Sequence, residues 1–534
     1  MFDMIIKNGQ VYDGSGNPST KVDLGIKDGK IAEIGQLHLS KAETEIDAEG
    51  LAVSPGFIDT HSHSDLLCTK PEIHKIRLLQ GITTELHGQD GISIAPVNSE
   101  TKPLWQEQLK ALDGDIGDWP WESVEDYLTY LENIPTAGNI MHLVPHGNVR
   151  TLVMGFEERA ATEEELEQMT ELVKKGMEEG AVGVSSGLIY PPNVYSNKEE
   201  LIAICKGAAK YDGIFVVHIR NESSKSLEAL DEVVGVARQT GIRLHVSHFK
   251  VAGQYNRDKF KKFLENIDKA REEGIEVTFD QYPYTAGSTV FHSILPPWMH
   301  SGGAKKMHER LEDPTVRSQI KQEIKENDSY ENWVYNCGWE NIFINTVSTE
   351  ENKVFEGKSM TEIAKIRGQE PDEAALDLLV EEKGAITMTI HWGVEEDLIY
   401  GMKHPVQMVG SDGIFGSKPH PRLYGTFARV LGRYARDEGI FTLSEGIRKM
   451  TGAAAQLLRL KDRGYLREGY WADIVIFNPK TISDNATYED PIQLPSGISY
   501  VFVNGVLTVQ EGKYTNETAG KVLRRDSKTS KATV

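Results

Sequence analysis

Eight short apolar runs, each about a strand's length, mark the middle of this chain, and charge-rich segments with helical periodicity separate them. The runs are "GFIDTHSH" starting at Gly56, "GITTELHG" at Gly81, "NIMHLVPHG" at Asn139, "AVGVSSG" at Ala181, "IFVVHIR" at Ile214, "IRLHVSHF" at Ile242, "EVTFDQYPY" at Glu276 and "VQMVGSDG" at Val406. Between them lie stretches such as "TEEELEQMTELVKKGMEEG" and "SSKSLEALDEVVGVARQTG", apolar on one helical face and charged on the other. Strands that read as continuous apolar runs are buried on both faces, and strands alternating with helices run parallel. Eight such units predict an α/β chain folded as a (β/α)8 TIM-like barrel.

Two connections are too long to be bare loops, residues 93–138 and residues 285–406. The second predicts a helical insertion or subdomain between strands 7 and 8, able to cap the barrel mouth. The ends of the chain have a different texture. "MIIKNGQVYDGSG" and "DLGIKDGKIAEIG" carry Asn-Gly and Asp-Gly turns between β-prone runs, and "WADIVIFNP" and "SYVFVNGVLTVQEGK" repeat the pattern late. We expect residues 1–54 and 465–534 to form one small β-sandwich domain beside a barrel of residues 55–464. The last stretch, "RRDSKTSKATV", is polar and expected to fray.

With 534 residues the chain is long enough for more than one domain, and 26% charged residues fit a soluble globular protein. The 58 basic and 80 acidic residues give a net charge of −22, which argues against nucleic-acid and anionic-membrane partners. Cys68, Cys205 and Cys337 form no CxxC pair, so they offer no thiolate cluster and suit a reducing, cytoplasmic setting. The N-terminus lacks the apolar core of a signal peptide, and no run reaches transmembrane length.

Catalytic groups of such barrels gather at the C-terminal ends of the strands. His61 and His63 close the first run, His218 the fifth, His248 the sixth and Asp412 the eighth. Each alone reads as an ordinary hydrogen-bonded strand end. Together, four imidazoles and a carboxylate suit a borderline divalent ion such as zinc. Strand alternation puts His245 out of phase with His248, facing the helices. His87, His142 and His146 lie near the mouth as supporting groups, and His38, His74, His300 and His308 read as surface residues. Cys68 reads as packing.

The segments "GFIDTHSHSD", "HIRNE", "LHVSHFK", "YPYTAGST", "SDG…HPRLYGTF" and "GKVLRR" resemble those of the N-acyl-D-amino-acid deacylases, the D-aminoacylase family of the amidohydrolase superfamily. The resemblance spans nearly the whole chain. It implies hydrolysis of a small N-acyl-D-amino acid with one or two zinc ions, metal ligands at His61, His63, His218 and His248, and an acid/base at Asp412 that also borders the metal. It further implies substrate contacts at Lys250, Tyr282, Ser288 and Arg422; guanidinium chemistry suits Arg422 to the substrate α-carboxylate, and Tyr282 or a histidine at the mouth suits the oxyanion. Surface or interdomain ion pairs remain the ordinary alternative for Lys250 and Arg422. Tyr190 and Tyr195, in "GLIYPPNVYS", are candidate pocket walls. In one place the pattern departs: "HGQDGIS" puts Asp90 where the family usually has a metal-binding cysteine. Asp90 reads either as an oxygen ligand or as a loop-capping aspartate, and Glu85 is a second candidate bridging carboxylate. Dihydroorotases and hydantoinases share the barrel but bridge two metals with a lysine after the fourth strand, and "AVGVSSGLIY" has none. Hydantoinase-like or isoaspartyl-dipeptidase-like hydrolysis is the nearest enzymatic alternative. A catalytically inactive scaffold is the alternative of another class.

Overall fold

The computed structural model of the chain describes residues 1–114 and 117–525. Eight parallel strands form its centre: β1 (Phe57–Asp59), β2 (Ile82–His87), β3 (Asn139–His142), β4 (Gly183–Gly187), β5 (Ile214–His218), β6 (Arg243–Val246), β7 (Val277–Gln281) and β8 (Gln407–Val409). β1, β2 and β3 pair in order, and so do β4 through β8. Val144–Pro145, just past β3, pairs with β4. β8 returns to β1 where the Asp412 amide donates to the His61 carbonyl at 2.9 Å and Ser62 bridges Gly413. This parallel order is compatible with a closed eight-stranded barrel.

Side chains divide between the two strand faces with period two. Phe215, Val217, Leu244, Val246, Val277 and Phe279 pack with Leu201, Leu230, Phe263 and Ile267 of the helices Lys198–Ala209, Ser226–Thr240 and Lys259–Glu272. Their neighbours Ile58, Leu86, Met141, Val216 and Met408 meet in a separate cluster drawn from five strands. The helix Glu163–Glu178 starts at a capping box, with Thr162 and Glu165 each satisfying the other's backbone N–H.

The two ends of the chain share a β unit. Ala52–Pro55 pairs with Ile474–Phe477 in a seven-stranded sheet that continues through Ile498–Val503 and Val506–Gln510. A four-stranded sheet of Phe2–Lys7, Asp23–Lys27, Lys30–Gly35 and Ala42–Asp47 packs on it through Ile6, Leu24, Ile26, Ile474, Ile476 and Phe502.

Several expectations need correction. The 285–406 segment is not purely helical: Ala286–Val290, Thr387–His391 and Ile342–Thr346 form a three-stranded antiparallel sheet backed by the helices Pro314–Glu326, Met360–Arg367 and Pro371–Glu381. Met388 and Ile390 alternate inward there while the intervening threonines offer little hydrophobic signal. The 93–138 segment does hold two helices, Lys102–Asp113 and Val124–Glu132. His74 is buried, with Nε2 2.6 Å from the Cys68 carbonyl, and His300 is buried against His292. The end of the chain is pinned through Arg525: Lys521 and Leu523 bond the backbone of Ile140, and Arg524 pairs with Glu125 and Glu132. Residues 526–534 of the expected frayed end lie outside the described residues. No helix among the described residues is long and apolar enough to cross a membrane.

A buried polar knot joins the β unit to the parallel sheet. Asp473 accepts from Arg463, from the Asn504 amide and, at 3.1 Å, from Asn139 Nδ2, while Asn504 Nδ2 donates to Asn139 Oδ1 at 2.8 Å. Removing one partner of a buried ion pair leaves the other charge uncompensated. Asp473→Ala should therefore lose about 3 kcal/mol of stability, read as a lowered thermal midpoint, with turnover per folded molecule retained.

Candidate functional site

The C-terminal ends of the strands bring together the residues expected there. His61 and His63 follow β1, and the Asp59 carboxylate fixes that end by accepting from the His61 amide at 3.2 Å and the Ser411 amide at 2.8 Å. Asp412 follows β8 with φ +49°. Its Oδ1 lies 3.2 Å from His63 Nε2 and 3.7 Å from His61 Nε2, and its Oδ2 lies 2.8 Å from Arg422 Nη1. Asp90 sits in a left-handed turn after β2, entered through Gly88 at φ +78°. Its Oδ2 lies 3.8 Å from His61 Nε2 and 3.6 Å from His63 Nε2, while its Oδ1 lies 3.8 Å from His248 Nε2.

Three overlapping sets of donor atoms result, each within 4.8 Å: His61, His248 and Asp412; His61, His63 and Asp90; and Asp90, His218 and His248. Both ring nitrogens of buried His61 and His218 lack a hydrogen-bond partner among the described residues. Buried polar atoms are normally satisfied, and a nitrogen–oxygen donor set of this spacing fits a zinc ion. Burial pushes the His218 imidazole down to about 3, which keeps it neutral. Burial opposes the charge of Asp90, but His61 and His248 outweigh it and hold the carboxyl well below the usual range. Asp412 is held low likewise, burial being outweighed by Arg422 and His61.

Two carboxylates essential to this arrangement escaped the sequence reading. Glu222, four residues past His218, places its oxygens 3.3 Å from His218 Nε2, 3.1 Å from His248 Nδ1 and 2.7 Å from Lys250 Nζ. The "HIRNE" spacing was the available signal. Burial raises the Glu222 carboxyl, but His218 and Lys250 outweigh it and bring it to about 2. The same carboxylate, with Asp90, raises His248 to about 10 against burial and Lys250. Asp280, on β7, accepts from the His248 amide at 2.5 Å, from Thr60 Oγ1 at 3.1 Å and from His245, whose Nε2 is 2.9 Å away. His245 thus points away from the helices, contrary to expectation. Leu244 and Val246 take the helix-facing positions. β6 ends at Val246, and His248 adopts φ +34°, so alternation does not carry through to it.

Other candidates fall elsewhere. Glu85 turns away from the histidine cluster to Ser62 Oγ at 2.6 Å and Arg77 Nε at 3.0 Å, outside every donor set. His146 is committed to Ser186 and Glu200, and His142 meets the Tyr127 ring edge-on. Cys68 packs in the core, as expected.

A cavity opens over the cluster. His63, Asp90, His218, His248 and Asp412 face it, with Glu222, Lys250, Tyr282, Ser288, Arg422 and Tyr190 around them. Arg422 lies over the Tyr282 ring, 4.5 Å from its centroid, and Nη2 donates to the Ser288 carbonyl at 2.8 Å. Tyr190 Oη meets Thr289 Oγ1 at 2.8 Å. Tyr195 instead lines a separate groove and bonds the Pro297 carbonyl.

The sequence pattern of the amidohydrolase family matches residues 44–312 and 401–509, leaving out much of the inserted α+β segment. D-aminoacylase of Alcaligenes xylosoxydans xylosoxydans is 35% identical over 525 residues, 98% of either chain. N-acyl-D-glutamate deacylase of the same organism is 34% identical, covering 98% of this chain and 97% of that one. A crystal structure of D-aminoacylase superposes with a TM-score of 0.84 at 32% identity, covering 98% of this chain and all of the other. N-acyl-D-glutamate deacylase from Bordetella bronchiseptica, complexed with zinc and a phosphonate inhibitor, gives 0.81 at 32% identity, covering 98% and 99%. With this coverage and this metal-ready cluster, the chain belongs to the D-aminoacylase, or N-acyl-D-amino-acid deacylase, family of the amidohydrolases.

Proposed function

We propose that the protein hydrolyses N-acyl-D-amino acids to a carboxylate and a free D-amino acid in a zinc-dependent reaction. One observation carries the reading: Asp412 reaches His63 with one oxygen and Arg422 with the other, on the wall of a cavity that also exposes His218, His248 and Asp90. A proton-accepting carboxylate, a metal-ready cluster and a carboxylate-binding guanidinium stand side by side. The family relatives support the same substrate class.

His61, His63, His218, His248, Asp90 and Asp412 would hold the zinc, one or two ions. When bound, zinc supplies Lewis-acid activation of water and of the scissile carbonyl. Asp412, kept ionised by Arg422 and His61, accepts a proton from the attacking water and returns it to the departing amine, which leaves poorly unless protonated. Arg422 has an Nε with no hydrogen-bond partner among the described residues and is assigned the substrate α-carboxylate, which a guanidinium binds in a planar fork. The buried Tyr282 hydroxyl, also without such a partner, is assigned to the developing oxyanion. Lys250, Ser288 and Tyr190 complete the substrate wall. We assign residues 1–54 and the described part of 465–534, through 525, to one β-sandwich domain and residues 55–464 to a (β/α)8 barrel, and we place the enzyme in the cytoplasm.

Three variants and a substrate comparison test this. Asp412→Asn should lower kcat on N-acetyl-D-amino acids by at least ~10³-fold with unchanged circular dichroism; normal turnover removes the acid/base assignment. Arg422→Ala should raise KM roughly tenfold or more, and an unchanged KM removes the carboxylate clamp. Asp90→Ala should bind less zinc per chain than the wild type by elemental analysis, and equal stoichiometry makes Asp90 a loop cap only. Hydrolysis of hydantoins or isoaspartyl dipeptides in place of N-acetyl-D-amino acids would replace the reading with the nearest enzymatic alternative.

A further inference from the structure

We propose that Glu331, contributed by the inserted segment, is a positioning residue for the zinc site: it holds the loop after β5 so that Glu222 meets His218, His248 and Lys250 together. The inference rests on the deacylase reading. It concerns a residue that the family pattern leaves unmatched, since that pattern breaks off at residue 312 and resumes at 401.

Glu222 stands on a loop. β5 ends at His218, and the next helix starts at Ser226. Yet the Glu222 carboxylate reaches His218 Nε2 at 3.3 Å, His248 Nδ1 at 3.1 Å and Lys250 Nζ at 2.7 Å. By engaging Nδ1 of His248 it leaves the opposite nitrogen, Nε2, to face Asp90. A carboxylate on the far nitrogen of a ligating imidazole fixes both its tautomer and its orientation. A group serving three partners tolerates a displacement of only about 0.5 Å.

Three contacts hold the loop. Asn221 Oδ1 caps it from within, accepting from the Ser223 and Lys225 amides at 3.0 and 2.8 Å. The Ala252 amide, in the loop after β6, donates to the Glu222 carbonyl at 2.6 Å. The third contact comes from the insertion. One Glu331 oxygen accepts from the Glu222 amide, and the other accepts from the Ser223 hydroxyl. A carboxylate offers an acceptor to both donors, whereas an amide side chain turns an N–H against one of them.

Glu331 is itself well anchored. The side chain of its neighbour Asn332 accepts from the Tyr335 amide at 2.9 Å, capping the helix Trp333–Cys337. Asn332 Nδ2 also donates to the Ile324 and Asn327 carbonyls, both at 2.9 Å, at the end of the helix Pro314–Glu326. Two residues past Glu331, Trp333 lines the cavity, so one turn of the insertion touches both the cavity and the loop. The carboxyl is costly to keep there. Glu331 is 4% exposed, and burial pushes its carboxyl up to about 8 against the Ser223 hydroxyl and the Glu222 amide. A buried acid adds little to stability by itself, and such departures from an apolar interior gather at functional sites.

The test compares the wild type with Glu331→Gln, Glu222→Gln and the double variant. Zinc affinity is read by competition with a chromogenic chelator, and kcat/KM is measured on N-acetyl-D-leucine. Glu331→Gln should weaken zinc retention ~10-fold and lower kcat/KM by a similar factor, with the thermal midpoint of the chelator-treated chain within ~3 °C of the wild type. The double variant should lose no more than Glu222→Gln alone, because Glu331 acts through Glu222. Wild-type zinc affinity in Glu331→Gln overturns the inference, and so do losses that multiply in the double variant. A lowered midpoint with zinc affinity unchanged per folded molecule makes Glu331 structural only and overturns it as well. Where Glu331→Gln does not fold, Ser223→Ala removes one of the two donors: weaker zinc retention supports the inference, and wild-type retention overturns it. Chelator competition needs no substrate, so an absence of turnover on N-acetyl-D-amino acids overturns the deacylase reading while the zinc measurement still decides the role of Glu331.

Discussion

The site depends on a junction between the first and last strands of the parallel sheet. Asp59, fully buried at the end of β1, accepts from its own strand at the His61 amide and from the other at the Ser411 amide and hydroxyl. Arg77 closes the junction from behind, reaching Asp59, Ser411, Ser62 and Ser64. Burial is strong enough to push the Asp59 carboxyl up to about 6 against the pull of Arg77 and Ser411. Close geometry is what offsets such a desolvation cost. With the junction in place, His61 and His63 stand beside Asp412, although 349 residues separate the second histidine from the aspartate. Every later feature of the cluster is hung from that fixed edge.

Beneath the junction, Asp280 does for β6 and β7 what Asp59 does for β1 and β8. One oxygen holds the His248 amide and the other receives His245 and Thr60. The loop after β6 is thereby turned so that a residue three positions past His245 reaches the same side of the sheet. The site is supported by buried, hydrogen-bonded carboxylates on several strands, an arrangement that keeps ligand geometry rigid.

This explains which parts were legible in the sequence. His61, His63, His218 and Asp412 could be found because each ends an apolar run, and a strand end has a definite place whatever surrounds it. His245 was misread because the period-two rule was carried past Val246 into a left-handed turn that no local pattern announces. Glu222 was passed over although it lies inside a quoted motif, since a glutamate in a polar loop is ordinarily solvated; only the tertiary approach of Lys250 and His248 makes it a buried anion. Glu85 erred the other way. It sits in a mouth-proximal strand, but Arg77, Ser62 and Ser64 claim its carboxylate. The antiparallel sheet of the insertion was hidden for a related reason: "AITMTI" alternates apolar with threonine rather than with charge.

Asp90 is where the remaining electrostatic argument concentrates. The other buried carboxylates of the cluster have close partners: Asp412 has Arg422, Glu222 has Lys250, and Asp280 has His245. Asp90 Oδ1 lacks a hydrogen-bond partner among the described residues, and the imidazole nitrogens around the carboxylate stand 3.6–3.8 Å away, beyond hydrogen-bond reach. Burial opposes its charge, and the facing His61 and His248 imidazoles offset that cost. The carboxylate oxygens and the ring nitrogens they face are the donor types a divalent ion would take. A thiolate at this position would present a single sulfur. The carboxylate instead turns one oxygen to His61 and His63 and the other to His248.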